Sequence, residues 1–526
     1  MTKNVNSPFS GSLWIIVIIL VAVNFYSYIK PFTVDNKYET SNTISSILYQ
    51  IEENYVDSIN IDSLIESSAH QILTNLDPHS IYMNKDDVSS SMEMMQGSFE
   101  GIGVEFSIHR DTVVIVNVIP NGPSEKKGLQ SGDRIILIEG ENVAGIGITN
   151  QDVISKLRGE KGSKVQIGIQ TRRDTNTRFV NIVRGKIPLF SLDVAYEIAP
   201  KIGYIKLNRF SATTFDEFKD KLQELQNSYD IESLILDLRG NSGGYLDQAI
   251  DILNEFFEGG KLLVYTKGKA RKEQKYYSNY FGSFKTKNVH VLIDEGSASA
   301  SEIVAGAIQD HGRGLIIGTR SFGKGLVQEQ IPLDNGGLIR LTVSRYYTPS
   351  GRCIQKPYTD DHDDYFSEMY LRKTSQKSDS LQKFTTLDGR VVFGGGGITP
   401  DHIVQSKTDS LPTSLVYLYT SDFFNDLAFD YVDNYRSKMS SLQSIEFKMS
   451  DFEKTTMLLK INNWITSELS NSNITLLNDE FDNYQSHIID RLSALIIRQY
   501  WGWEDMQIFL NQNDEIISTS LSLIKN

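Results

Sequence analysis

A chain of 526 residues, 40% apolar and 22% charged, has the composition of globular protein and room for about three or four compact units. Its net charge of −14 excludes a general nucleic-acid binder, because phosphate recognition needs clustered Lys and Arg. Cys353 is the single cysteine, which removes intrachain disulfides, Cys-rich zinc sites and paired thiols together.

Leu13 to Val23 is an unbroken apolar run, continued less cleanly through Phe25, Tyr26 and Ile29, with Lys3 before it and Lys30 after. The run is short for a spanning helix and suits a signal-peptide core as well. Asn24, Phe25 and Tyr26 make a poor small-residue cleavage site, and the aromatics suit a membrane interface. Residues 1–30 are therefore expected to be an uncleaved membrane anchor, contacting the bilayer through 13–29, with a cleaved signal segment as the alternative. Lys3 favours a cytoplasmic N-terminus, which leaves the bulk of the chain exported, facing the periplasm or cell exterior.

Residues 31–95 read as a helical region. Ile44, Ile47, Leu48 and Ile51 recur at three- and four-residue spacing, as do Ile61, Leu64, Ile65, Ala69 and Ile72. Leu76-Asp77-Pro78-His79-Ser80 then breaks the pattern as a turn.

Between 96 and 186 the pattern changes to short strands with glycine turns, at Val113–Ile119, Arg134–Ile138 and Val165–Ile169. Gly101-Ile102-Gly103-Val104 stands before a strand. Such a loop can turn successive backbone N–H groups toward a peptide carboxylate. With Asn121-Gly122-Pro123-Ser124, Gly128 to Ile135 and Arg158 to Gly162, the whole segment resembles a PDZ domain.

Residues 187–405 alternate buried strands with amphipathic helices, an α/β pattern with more than one sheet expected. Ile202–Leu207, Leu234–Leu238, Val289–Ile293 and Leu315–Ile317 are the strands. The polar stretch 359–385, including Asp360-Asp361-His362-Asp363-Asp364, reads as a solvated mobile loop. Residues 406–526 are again helical, with stripes at Leu458, Ile461, Ile465 and Leu469 and at Ile488, Leu492, Leu495 and Ile496. Trp464, Trp501 and Trp503 are read as core or interface anchors.

The chemistry is concentrated in two segments. Asp294 to Glu302 follows a buried strand and opens an Ala-rich helix, a geometry that exposes a nucleophile and aims backbone N–H groups at a developing oxyanion. Ser299-x-x-Glu302 is also a capping box, and the two readings are compatible. Downstream, Gly323-Lys324-Gly325 stands immediately before an alternating strand, and a lysine delivered into a tight site could require flanking glycines. Gln328 would lie roughly 13 Å from Lys324 on a straight strand, so contact between them requires a bent chain.

Leu76-Asp77-Pro78, the PDZ segment, Asp237 to Gly244, the Ser299 and Lys324 segments and Gly397-Ile398-Thr399-Pro400-Asp401 occur in the order seen in carboxyl-terminal processing peptidases. From about 40 to 405 the chain resembles this family, the tail-specific proteases of the S41 group. The resemblance implies an α/β serine-peptidase core of the crotonase/ClpP-like kind after a PDZ β-sandwich-like domain. It also implies a Ser299–Lys324 dyad supported by Gln328, with oxyanion donors at Ala300 and at Gly243, Gly244 remaining open. It implies cleavage of extracytoplasmic proteins presented by their C-termini, with the PDZ domain gating the site and Arg158 matching a gating position. No His-Glu-x-x-His motif is present, and neither a metal nor a cofactor is expected. A homodimer or larger oligomer stays open.

A free lysine titrates near 10.4, so a neutral amine at pH 7 needs about 4.6 kcal/mol against its charge, which desolvation can supply. A Ser–His–Asp site is disfavoured, since His311 lies about 18 Å of helix beyond Ser299. The alternative from another class is a catalytically silent membrane-associated PDZ scaffold that binds protein C-termini.

Overall fold

The computed structural model describes residues 41–171, 174–358, 362–371, 382–404, 411–469 and 478–525. The apolar run at 13–29 lies outside the described residues. Among the described residues no helix is long and apolar enough to cross a membrane. The expected single-pass or signal-anchored placement, with a catalytic part facing the periplasm or exterior, is corrected on that ground.

The chain divides into two units, one ending at Ile72 and one starting at Leu73. The first holds helix α1 (Ser41–Asn54) and most of α2 (Ile61–Thr74), where the predicted stripes fall. The second opens with the turn at Asp77, whose carboxylate accepts from the His79 and Ser80 N–H groups and from the Ser80 hydroxyl. Strand β1 (Ile81–Met83) follows, so the 31–95 region is not helical throughout. Helix α3 (Lys85–Gln96) begins at Asn84, whose side chain accepts from the Asp86 and Asp87 N–H groups.

Strands β2 (Ser98–Gly101) and β9 (Gly185–Pro188) pair and close off a small domain between them. It contains β3 (Val104–His109), β4 (Thr112–Val118), β5 (Arg134–Ile138), β6 (Glu141–Asn142), α4 (Asn150–Leu157), β7 (Lys164–Thr171) and β8 (Asp174–Val183). The sheet order β3-β4-β5-β7-β8 leaves β3 as an edge strand beside the Gly101–Val104 loop. Alternating residues such as Val113, Ile115, Val165, Ile167 and Ile169 are fully buried under it.

The larger domain is built from β10 (Leu192–Ala199), β11 (Ile202–Leu207), α5 (Thr214–Tyr229), β12 (Ser233–Asp237), α6 (Leu246–Asn254), β13 (Leu262–Lys267), β14 (Gln274–Tyr277), β15 (Asn288–Ile293), α7 (Ala300–Asp310), β16 (Leu315–Gly318), β17 (Leu326–Pro332) and β18 (Leu338–Tyr347). Its main sheet runs β10-β11-β12-β15-β16 and ends on β21 (His402–Ile403), parallel from β11 onward. A second sheet joins β1, β18, β13 and β14, with β17 also paired to β18. Two sheets in one core match the α/β expectation.

The stretch 359–385 is not simply a loop. It contains α8 (His362–Leu371), and β19 (Lys383–Thr385) pairs with β20 (Val391–Phe393). Helix α8 is pinned by a buried lysine: Lys356 Nζ donates to the Tyr365 carbonyl at 2.6 Å and lies 4.1 and 4.2 Å from the Phe322 and Tyr365 ring centres. The short spacing Tyr365-Phe366 among acidic residues hid this apolar face from a composition reading.

The C-terminal helices are α9 (Thr413–Thr420), α10 (Asp422–Met439), α11 (Asp451–Leu469), α12 (Asn478–Tyr500), α13 (Trp503–Asn511) and α14 (Glu515–Lys525). The predicted stripes at Ile461, Ile465, Ile488 and Leu492 meet in one core, against which Trp464 and Trp501 pack. This region touches both other domains. Ile516 and Ile517 pack against Tyr204 and Leu292 of the main sheet. Helices α10 and α12 reach the small sheet through Arg110–Asp430 at 2.6 Å, Arg134–Asp433 at 3.3 Å and Arg498–Glu105 at 2.5 Å. His109 sits between Asp426 and Asp430 on the same helix.

Candidate active site

Ser299 is placed by the strand–turn–helix segment β15–α7. Its φ is 54°, in the left-handed region that a non-glycine residue enters only when its surroundings force it. The surroundings are specific. Tyr346 donates its hydroxyl to the Ser299 carbonyl at 3.2 Å, and the Glu302 carboxylate accepts from the Ser299 N–H at 2.9 Å. Glu302 thus makes one half of the expected capping box, and its carboxylate does more. It is fully buried and also accepts from Ser321 Oγ at 2.5 Å, the Gly323 N–H at 2.8 Å and the Lys324 N–H at 2.9 Å. Four donors explain how a carboxylate tolerates burial.

The flanking glycines of Lys324 are required by packing. A Cβ at Gly325 would lie 2.8 Å from the Gln355 backbone N, and one at Gly323 would lie 3.0 Å from the Gly397 N. The lysine loop is thereby pressed onto the segment that carries Gly397 to Asp401. Lys324 Nζ donates to Gln328 Oε1 at 3.0 Å. The bend that this contact demands is present as a register shift between Val327 and Gln328 in the β17–β18 pairing. Gln328 Nε2 in turn donates to the His79 carbonyl. The bond from Lys324 to Ser299 Oγ expected of an assembled dyad is not made in this structure.

Ser299, Lys324 and Gln328 line one cleft of about 1030 Å³, with His79, Gly243, Gly244, Ala300 and Arg340. Burial pushes the Lys324 amine down to about 8, and the Arg340 cation assists, while Asp77 and Glu302 oppose it. The amine is thus dehydrated to a useful extent without bound substrate. His79 is pushed down to about 3, first by burial and then by the Lys324 charge. Its ring meets the Tyr365 hydroxyl at 2.9 Å, so this neutral imidazole is a wall of the site rather than its base. The sequence marks His79 only as part of a turn. Its signal was the Asp77 turn itself, which directs the ring inward.

His311 engages the Leu262 carbonyl at 2.7 Å and His290 meets Ser520 at 2.9 Å, both remote structural contacts. At the oxyanion side, the Gly243 N–H is bonded to Asn241 Oδ1 at 2.9 Å. A Cβ at Gly243 would lie 2.8 Å from Ser299 Cβ and 2.9 Å from the Ala300 N, so this glycine sits directly against the serine turn. In the small domain, the Ile102 carbonyl accepts from the Ser124 N–H and hydroxyl, which fixes the Gly101–Val104 loop. Arg158 pairs with Glu93 of α3 at 2.5 Å and lies 4.6 Å from the Phe99 ring centre. Helix α3 also contributes Met95 to the cleft wall.

Residues 201–363 match the model of peptidase family S41, residues 101–183 a PDZ-domain model, and residues 415–502 a family of unknown function. The chain is 36% identical over 324 residues to a carboxy-terminal-processing protease of Bartonella bacilliformis, covering 61% of this chain and 74% of that protein. It is 35% identical to the carboxy-terminal processing protease CtpB of Bacillus subtilis, over 58% of this chain and 64% of that one. Among solved structures, a photosystem II D1 C-terminal processing protease is 25% identical, covering 70% of this chain and 89% of its own, with a TM-score of 0.36.

Proposed function

This chain belongs to the carboxy-terminal processing proteases of peptidase family S41, serine-type enzymes, and we propose that it cuts polypeptides with a Ser299–Lys324 dyad. The PDZ domain receives peptide or protein substrates at their C-termini. The observation that carries the dyad is the Lys324 amine, held by Gln328 in the cleft that Ser299 lines and pushed down to about 8.

The neutral Lys324 amine accepts the Ser299 Oγ proton as the oxygen attacks the scissile carbonyl. The developing oxyanion is met by the Ala300 N–H, at the positive end of α7, and by a glycine N–H at 243 or 244. For Gly243 to serve, its bond to Asn241 must be exchanged for the substrate oxygen. Lys324 then returns the proton to the departing amine, and water releases the acyl group by the same route. Gln328 orients the amine throughout. Movement of Nζ to Ser299 Oγ completes the dyad.

Gating follows from Arg158. It ties the PDZ domain to α3 through Glu93, and α3 borders the cleft, so a peptide bound along the edge strand β3 can act on the site through that helix.

The test is incubation of the full chain, intact and as Ser299→Ala, with unfolded or C-terminally tagged proteins, the products being read by mass spectrometry. Cleavage by the intact protein alone is expected. Cleavage that survives in Ser299→Ala removes the nucleophile assigned here.

A further inference from the structure

The cleft holds a second cation, which pairs with no carboxylate among the described residues. Arg340 lies on β18, opposite Gln330 of β17 on one side and Ile81 of β1 on the other. Its half-buried guanidinium lines the cleft with Ser299 and Lys324. Nη2 donates to Ser91 Oγ at 2.8 Å, and among the described residues Arg340 forms no ion pair. The acidic residue in the cleft wall, Asp247, is exposed and does not pair with it.

Other sheltered arginines in the chain are satisfied differently. Arg239 pairs with Asp237 and Asp514, Arg352 with Asp310, and Arg390 with Asp388 and Asp401. Arg313 pairs with no carboxylate among the described residues and spends its donors on the carbonyls of Phe256, Phe284 and Lys287. Arg340 has one neutral hydroxyl. A guanidinium partly removed from water, with donors to spare and facing a peptide channel, is matched by a carboxylate, which it can bind in a two-point fork.

We propose that Arg340 is a carboxylate subsite of the substrate cleft, reading an Asp or Glu side chain or the terminal carboxylate of the peptide bound across Ser299. The proposal rests on the protease reading of this cleft. It carries a coupled consequence, because Arg340 faces Lys324 together with Asp77, Glu302 and His79. A carboxylate that neutralises the guanidinium removes a cation beside the amine, so Lys324 holds its proton to higher pH. Acid-bearing peptides therefore bind more tightly while their rate profile moves toward alkaline pH.

The test uses the full chain, Arg340→Gln and Arg340→Lys, each also carrying Ser299→Ala for equilibrium binding. The probes are peptide pairs differing only in carboxylate against amide: Asp/Asn and Glu/Gln at successive positions, and a free against an amidated C-terminus. One pair is expected to favour the carboxylate by about tenfold in the parent. In Arg340→Gln the ratio falls, to about one for a side-chain pair and to the preference of the PDZ domain alone for the terminal pair, and it returns in Arg340→Lys, whose folding is checked by the same melting transition. Recognition of the terminus by the PDZ domain is common to all variants and cancels when their ratios are compared. Dependence in a side-chain pair assigns an acidic residue, dependence in the terminal pair assigns the C-terminus, and either supports the subsite. Ratios equal in the parent and Arg340→Gln for every pair overturn it. Because binding is measured without Ser299, failure of the nucleophile assignment appears separately, as cleavage in Ser299→Ala.

Discussion

Ser299 and Lys324 share one hydrogen-bond acceptor: both backbone N–H groups donate to Oε2 of Glu302, each at 2.9 Å. The two halves of the proposed dyad, on different segments, are thus positioned from a single buried carboxylate. Its other oxygen holds Ser321 and Gly323, so the lysine loop is fastened to this carboxylate at Ser321, Gly323 and Lys324.

Replacing Glu302 with Gln turns one acceptor oxygen into a donor facing N–H or O–H groups. Stability is expected to fall by about 1–3 kcal/mol, and peptide cleavage to fall by at least about a hundredfold, because both catalytic backbones lose their common reference. Thermal melting alongside single-turnover cleavage separates the two effects. A variant with normal turnover would show that the shared acceptor is incidental.

The pH dependence follows from the sign of the Lys324 shift. The base must be neutral, and the amine titrates at about 8, so kcat/KM is expected to rise tenfold per pH step below that value and to level above it. In Arg340→Gln the neighbouring cation is gone, so the same limb moves to higher pH. A profile flat between pH 6 and 9 contradicts Lys324 as base.

Gly325→Ala tests the tight loop. The added Cβ meets the Gln355 backbone at 2.8 Å, where nothing flexible can yield. A cost of about 1–3 kcal/mol is expected, with kcat reduced as Lys324 is carried away from Gln328. Reduced stability with unchanged kcat would mean that the lysine is placed by its side-chain contacts alone.

The small sheet is braced by the C-terminal helices, and Asp426→Asn with Asp430→Asn removes the anions that face His109 and Arg110. Arg110–Asp430 is an exposed pair worth about 0–1 kcal/mol, and the two amides keep acceptor oxygens for the buried His109, so the melting temperature should barely move. Hydrogen exchange in β3 and β4 should nevertheless quicken, and more so at low ionic strength, where the parent pairs are least screened. Unchanged exchange would show that the apolar contacts of α10 and α12 suffice.

Much of this architecture could be read from residue order. The buried-strand runs at Leu234 and Val289 gave the main sheet, and the glycine turns gave the PDZ domain. Ser299 and Lys324 stand out because both are set between small residues at the ends of apolar segments. Arg340 and His79 did not stand out, since each becomes part of the cleft only through pairing that brings β1 beside β18. No local pattern encodes that contact. Helix α8 was hidden because its acidic first turn outweighs the two aromatics that it buries or presents to the cleft. The strain at Ser299 was equally invisible, being imposed by Tyr346 and Glu302 from outside the turn.

That strain means the working enzyme is not the most heat-tolerant version of its own sequence. A serine held at φ 54° costs on the order of 1–3 kcal/mol, whereas glycine adopts such backbone freely. Ser299→Gly is therefore expected to melt above the parent while cutting nothing. A library selected only for survival on heating would drift toward that dead solution, so hydrolysis has to be screened in the same round.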